Sequence, residues 1–402
     1  MRTMVAALGT FVLTVFGSLS LSYADFGDPI PGLTDAEKAR FADGKDTFSE
    51  IEGPLDGLGP VFNEASCATC HVGPATAVGG TTGRLETRFG KNSNGVFDPL
   101  AGSGGSLIQD HGIGAVAEFF PNGPAQCQTL TFVPEVVPPA ANVTAPRRTT
   151  PLFGLGFVDA VPDSTFIALA AAEARLFPGQ KGTVSFVTDA DSLRTVVGKF
   201  GWKAQESTLH AFSGDAYLNE MGITNPSFPD ESCPQGDCSL LACNPRPDLN
   251  DDGEDVELFH DFMTFLDAPP PPPANSTTIA GGAIFAKVGC ANCHTPALVT
   301  GSNANPVFNK KAFFPFSDFL LHDMASLGDG ITQNQATGGL MRTAPLWGLH
   351  ASAATGLLHD GSTHSIATAI LRHDGQGLSA KRAFQNLSAG DKSTLLAFLN
   401  SL

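Results

Sequence analysis

"GPVFNEASCATCH" (59–71) returns as "GAIFAKVGCANCH" (282–294), with the Gly, the Phe, both cysteines and the His in register. Downstream of each copy lies a second shared segment, "RTTPLFGL" (148–155) and "RTAPLWGL" (342–349), identical at six of eight positions. Two motifs in the same order mark a duplicated unit, and each copy carries one C-x-x-C-H. Between the copies, "APPPPPANSTT" (268–278) holds five consecutive prolines followed by residues with no core-forming side chain. Such a run favours extended polyproline II and reads as a linker. The division predicted is an N-terminal domain over 25–267, a linker over 268–278 and a C-terminal domain over 279–402.

Residues 1–24 stand outside that scheme. Arg2 supplies a positive start, "VAALGTFVLTVFGSLSLS" an apolar stretch, and Ser22 and Ala24 the small residues before Asp25. This is the pattern of a secretory signal cleaved after Ala24. A retained anchor is the alternative, but the polar "GSLSLS" end suits cleavage better. The expectation is a periplasmic protein with no stable membrane insertion after cleavage. A net charge of −17 and a pI near 4.8 argue against nucleic acid, whose phosphates such a surface repels. With 44 Gly and 29 Pro the chain reads as loop-rich. Helical periodicity is visible in "STFIALAAAEARLF", "VELFHDFMTFL" and "DKSTLLAFLNSL", and period-two strands are scarce. The predicted class is therefore mainly α, with long loops.

The paired clusters are Cys67, Cys70, His71 and Cys290, Cys293, His294. Zinc needs four ligands close together, and a His directly after the second thiol crowds a tetrahedral site. A thioredoxin-like pair sits after a strand in a βαβ setting, which the chain lacks. A plain disulfide leaves the His and the duplication unexplained. Covalent c-type haem accounts for all of it: the cysteines form thioethers and the next imidazole reaches the iron. The reading is two haems, with His71 and His294 as proximal ligands. The Phe five residues before each first cysteine is expected on a short helix, packed against the ring. Cys127, Cys233, Cys238 and Cys243 remain, which suggests two disulfides in an oxidising compartment, with three pairings open.

Beyond these clusters, "RRTTPLFGLGFVDAVPD", "GKFGWKAQESTL", "NEMGIT", "GCANCHTP", "LLHDGSTHSIATAILRHDG" and "LLAFLNSL" resemble the di-haem c-type oxidoreductase family of peroxidase-like proteins. More distantly, the order of motifs is similar to bacterial di-haem cytochrome c peroxidases. The likeness runs from about residue 30 to the end. It implies two cytochrome c-like helical domains, a reactive N-terminal haem and an electron-transfer C-terminal haem. It also implies a small redox protein as electron donor, peroxide or a similar small oxidant as substrate, and calcium held between the domains. "RPDLNDDGEDVE" (246–257) places Asp248, Asn250, Asp252, Gly253 and Asp255 in part of a calcium-loop spacing, but Phe259 stands where an EF-hand needs Glu. A solvated acidic turn is the other reading.

The family pattern falls on particular residues. In the second half, His359 and Gly361 match a His-x-Gly, Ile366 takes a Leu position, and His373 follows seven residues on, where peroxidases carry Met. His373 is thus the implied sixth ligand of the C-terminal haem; a surface His at a helix end is the plain alternative. In the first half the same count from Leu209 reaches Ala216, which has no donor atom. Trp202 matches a Trp that lies between the haems, and Glu220 lies near a Glu that shuttles protons for peroxide. Their alternatives are a core aromatic and an exposed helix-end carboxylate. Phe212 replaces a Gln, while Lys203 and Ala204 replace Asp and Gly, so the reactive pocket is expected to be less polar than a peroxidase's. The sixth ligand of the N-terminal haem stays open between none, His111, His210 and Met221. Arg148 and Arg342 are candidates for haem propionates or for ordinary salt bridges.

Two classes of function compete. One is a di-haem peroxidase-like enzyme, with an oxidase or oxygenase as its variant. The other is an electron-transfer cytochrome with no small substrate of its own.

Overall fold

The computed structural model describes residues 26–73 and 76–402; the signal segment read at 1–24 lies outside them. The structure corrects the predicted class. It is 36% helical and 15% strand, with several small sheets, and no cytochrome c-like domains are evident. The strands escaped sequence reading because most of them span two to four residues. Alternation cannot register over so short a run. The longest, β1 (Leu85–Ser93), does not alternate cleanly either, because its far end is exposed on both faces. It pairs antiparallel with β2 (Val96–Asp98) on one side and β3 (Val143–Arg148) on the other, Leu85 facing Arg148 and Gly90 facing Val143. Further hairpins are β4 (Ser185–Thr188) with β5 (Thr195–Gly198), and β6 (Leu321–Asp323) with β7 (Leu340–Arg342).

Helices carry the core of each half. Helix α1 (Asp35–Phe48) begins at Thr34, whose hydroxyl accepts from Glu37 N while the Glu37 carboxylate accepts from Thr34 N, a reciprocal cap. It crosses α4 (Glu254–Phe265) at Gly44, where an added Cβ would come within 2.2 Å of the Leu258 carbonyl oxygen. The second half repeats the device. Helix α5 (Ser276–Lys287), capped by Asn275, crosses α9 (Ala389–Leu399) at Gly281, where a Cβ would meet Phe398 at 2.3 Å. The three helical stretches read from the sequence are α2 (Asp163–Leu176), α4 and α9. The remaining ones used below are α3 (Leu209–Met221), α6 (Leu349–Thr355), α7 (Ile366–Arg372) and α8 (Leu378–Gln385).

The second shared motif also folds alike in both copies. β3 ends at Arg148 and β7 at Arg342, and each is followed by a turn into a short helix. Gly154 and Gly348 enter those helices at φ +69° and +64°, a left-handed backbone that favours glycine. Two disulfides close the pairing left open by the sequence: Cys127–Cys243 and Cys233–Cys238.

The halves are joined through their interiors. One buried apolar cluster takes Ile30, Phe41, Phe166, Phe200 and Phe262 from before the prolines and Phe308, Phe313, Phe319 and Trp347 from after them. A second cluster is built from the last third alone, around Phe285, Phe316, Leu395 and Phe398. Pro269 and Pro272 are buried, so the proline run is packed down as a strap. A charged joint complements the apolar one. Asp329 lies buried between Arg147 (2.6 Å) and Lys203 (2.7 Å), whose Nζ also donates to the carbonyls of Leu340 and Thr337. Burial pushes the Asp329 carboxyl up, but the two cations overcome it and hold it below its ordinary value.

Removing one member of a buried charge cluster strands the rest, typically at a cost of about 3–5 kcal/mol. Asp329→Asn is expected to destabilise the protein by that amount in urea denaturation. A loss under about 1 kcal/mol would show that the cluster is not a joint.

Candidate functional site

Each C-x-x-C-H opens onto a cavity. The N-terminal one, about 1260 Å³ with its mouth, is lined by Cys67, Cys70 and His71. The C-terminal one, about 1810 Å³, is lined by Cys290, Cys293 and His294. None of the four cysteines is in a disulfide. Burial pushes Cys67, Cys70 and Cys290 up to about 12 and raises Cys293 as well, so these are protonated thiols.

The histidines are set as neutral ligands. Burial pulls His71 and His294 down to about 4 and lowers His373. His294 Nδ1 donates to the Phe316 carbonyl at 3.1 Å and His373 Nδ1 to Ala369 O at 2.9 Å, which leaves both Nε2 atoms for another partner. Their ring centroids lie 6.4 Å apart across the cavity. Two imidazoles that each bring a nitrogen to about 2 Å from one ion have centroids on the order of 6 Å apart. His71 Nδ1 is buried with no hydrogen-bond partner. These residues fit an iron porphyrin in each cavity.

His373 arrives there by a simple count. Ile366 begins α7 and His373 caps its end, seven residues or two turns later, on the same face. The matching residue of α3, Ala216, lines the N-terminal cavity with a methyl group. Of the other candidates for that side, Met221 lines the cavity, with its Sδ 3.9 Å from Cys67 Sγ. His111 instead bonds the Asn63 carbonyl and stacks on Phe62, and His210 pairs with Asp191. Phe285 lies on α5 beside His294, as expected, at 6.4 Å. Phe62 does not: it lies in a two-residue strand, and the aromatic neighbour of His71 is Phe48 at the end of α1, at 5.8 Å.

Trp202 lines both cavities, and its Nε1 donates to the Arg148 carbonyl at 2.8 Å. Its ring meets His359 edge-on at 6.3 Å. Arg148 N in turn donates to His359 O, and Arg342 N to Trp202 O. The wall between the cavities is therefore tied by main-chain bonds from both halves.

Glu220 lines the N-terminal cavity near the end of α3, where its Oε2 accepts from Asn63 Nδ2 at 2.8 Å. Burial and the nearby charge of Glu86 raise it, so it carries a proton at neutral pH. Glu86 is the ionised member of this carboxyl pair. Burial alone would raise it, but Arg88 (3.0 Å) and Arg147 hold it low. The pocket is thus more polar than the sequence suggested. Lys203 points away to Asp329, while Glu86, Arg88, Asp110 and Asp215 line the cavity. Sequence reading missed Glu86 and Arg88 although "LETRF" places them two apart, on one face of a strand. It also missed Asp318 and His322 at i and i+4. Their buried pair (2.9 Å) sets His322 Nδ1 3.5 Å from Cys293 Sγ. Among the described residues, Cys293, Asp318 and His322 are the one group of three or more His, Cys, Asp or Glu side chains with ligand atoms close enough to share a metal ion. The polar residues of 248–257 are engaged separately: Asn250 accepts from Thr224, Asp252 accepts from Glu254 N, and Asp255 accepts from Tyr217.

This constellation of two cavities, each opened by a C-x-x-C-H on a scaffold of helices and small sheets, has a family. The profile described as "Di-haem oxidoreductase, putative peroxidase" matches residues 141–402, and the chain belongs to that family. The match includes the second C-x-x-C-H and begins after the first. Among solved structures, hydrazine synthase of Kuenenia stuttgartiensis is similar at 14% identity over 96% of this chain and 97% of that one. Its TM-score of 0.35 carries no argument. No curated protein matches the chain. The protein is a haem-family oxidoreductase, and no helix among its described residues is long and apolar enough to cross a membrane.

Glu220 holds its proton more tightly in the folded state than in the unfolded chain, where a carboxyl titrates near 4.5. Its contribution is full below that pH and is lost as pH rises through the folded value. Glu220→Gln, a neutral mimic of the protonated acid, is therefore expected to match wild-type stability near about pH 5 and exceed it near about pH 9. Urea denaturation at the two pH values checks this; equal stability at both would mean that the folded carboxyl titrates normally.

Proposed function

We propose that the protein is an exported, periplasmic di-haem c-type oxidoreductase that reduces peroxide, taking electrons at the C-terminal haem and delivering them to the N-terminal one. The observation that carries this reading is the asymmetry of the cavities. His373 faces His294 in one, whereas Ala216 occupies the matching position in the other, beside a protonated Glu220. Haem, when bound, supplies the redox-active iron; His71 and His294, with His373, would hold it, and the two cysteine pairs would form its thioethers.

The chain's own residues then have distinct tasks. His294 and His373 are oriented by their carbonyl partners. Glu220, held by Asn63, moves a proton between the two oxygens of the peroxide. Two electrons and two further protons complete its conversion to two waters, the electrons coming from a small redox protein. Glu86, kept ionised by Arg88 and Arg147, takes up and returns the proton that Glu220 carries. Trp202 stands in the shared wall, on the path between the sites.

Phe212 favours the second reading, a di-haem electron-transfer cytochrome without its own substrate. It lines both cavities with an apolar ring where peroxidases carry a Gln. The test is the reaction of matured protein with hydrogen peroxide, oxidised and half-reduced. Peroxide turnover supports the enzyme; no reaction in either state supports the carrier.

Four variants follow. Cys290→Ala with Cys293→Ala is expected to leave one covalent haem of two, read by denatured haem spectra and chain mass. His373→Ala is expected to turn one low-spin haem high-spin, and an unchanged spectrum removes it as a ligand. Glu220→Gln is expected to slow peroxide turnover by roughly 10²–10⁴-fold with haem content intact. Trp202→Phe, by contrast, is expected to slow electron delivery from the C-terminal haem.

A further inference from the structure

Arg148 is buried, about 5% exposed, and lines both cavities. Its guanidinium has no carboxylate within salt-bridge distance among the described residues. Nη2 donates to the Thr355 hydroxyl at 2.8 Å, and Nε is buried without a partner. Its neighbours are provided for. Arg84 pairs with Glu64, Arg88 with Glu86 and Arg147 with Asp329. Arg342, the equivalent residue of the second copy, donates to the carbonyls of Gly201 and Thr343. Burial therefore pulls Arg148 down to about 10, with no opposing anion.

A buried cation with an orphaned donor is costly, because desolvation is met by neither charge nor hydrogen bond. Nor can Arg148 turn away. Its amide is bonded to His359 O and its carbonyl to Trp202 Nε1, which fixes the residue in the wall between the sites. A planar guanidinium with a free edge matches a carboxylate.

We propose that Arg148 is the anchor for a haem propionate, its guanidinium receiving a cofactor carboxylate at the wall shared by the two cavities. The inference rests on the haem reading above. It adds that one residue of this wall both carries Trp202 on its carbonyl and neutralises a haem carboxylate with its side chain.

The test uses protein matured in a host that attaches c-type haem, with haem content measured first. If the unaltered protein holds no covalent haem, the haem reading has failed. With two haems present, Arg148→Gln is expected to lower the midpoint potential of one of them. An uncompensated carboxylate favours ferric iron by on the order of tenfold in the redox equilibrium, about 59 mV for one electron. The haem carboxylate band in the resonance Raman spectrum is expected to move with it. Arg148→Lys keeps the charge but loses the planar fork, so the potential is expected to return close to wild type while the band stays displaced. Should the Gln variant fail to mature, the Lys variant still reports through that band. Unchanged potentials and an unchanged band in a variant with both haems would overturn the proposal.

Discussion

A single buried carboxylate, Asp329, holds the two halves to one geometry. It arrives in the loop before β7 and meets Arg147, the next-to-last residue of β3, and Lys203, beside Trp202. All three side chains are almost fully buried, so none can satisfy its charge elsewhere. Arg147 and Lys203 are the direct neighbours of Arg148 and Trp202, the residues that form the wall between the cavities. The position of that wall, and with it the spacing of the two sites, follows from where Asp329 can sit. A buried cluster of this kind adds little net stability over an apolar one, but it fixes register, because any slip strands a charge.

Duplication supplies two similar sites, and small substitutions make them different. Both copies set a glycine crossing between paired helices, a left-handed glycine after the strand and an aromatic beside the C-x-x-C-H His. On that common plan, His373 against Ala216 decides which cavity has imidazoles facing each other across it. The N-terminal cavity then gains what the other lacks, a carboxyl pair. Glu220 and Glu86 are close enough to share one proton, and the arginines beside Glu86 settle which of them is ionised. Acid–base asymmetry comes here from environment rather than from residue type.

Much of the site was legible in the chain. The C-x-x-C-H pairs, the seven-residue step from Ile366 to His373 and the repeat itself depend on short-range spacing, which one dimension preserves. Gly154 and Gly348 were visible as shared letters, and their backbone explains why. What failed was anything set by chain return. The class was read as mainly α because strands of two to four residues carry no period, yet their hairpins organise both walls. Phe62 was expected on a helix beside His71 but lies in a two-residue strand, and Phe48 stands there instead, since only packing brings the end of α1 against His71.

Lys203 shows the boundary most clearly. As a letter it replaced an Asp and implied an apolar pocket; in three dimensions it turns to Asp329 and leaves the pocket to Glu86 and Arg88. The sequence by itself determined which residues stand as candidate ligands at each cavity, because their spacing along a helix or within a tight turn is local geometry. The tertiary structure alone decided which charges are paired and which are stranded. Desolvation and Coulomb terms depend on neighbours more than a hundred residues away, and so Arg148, one letter from Arg147, is left with an unmatched charge.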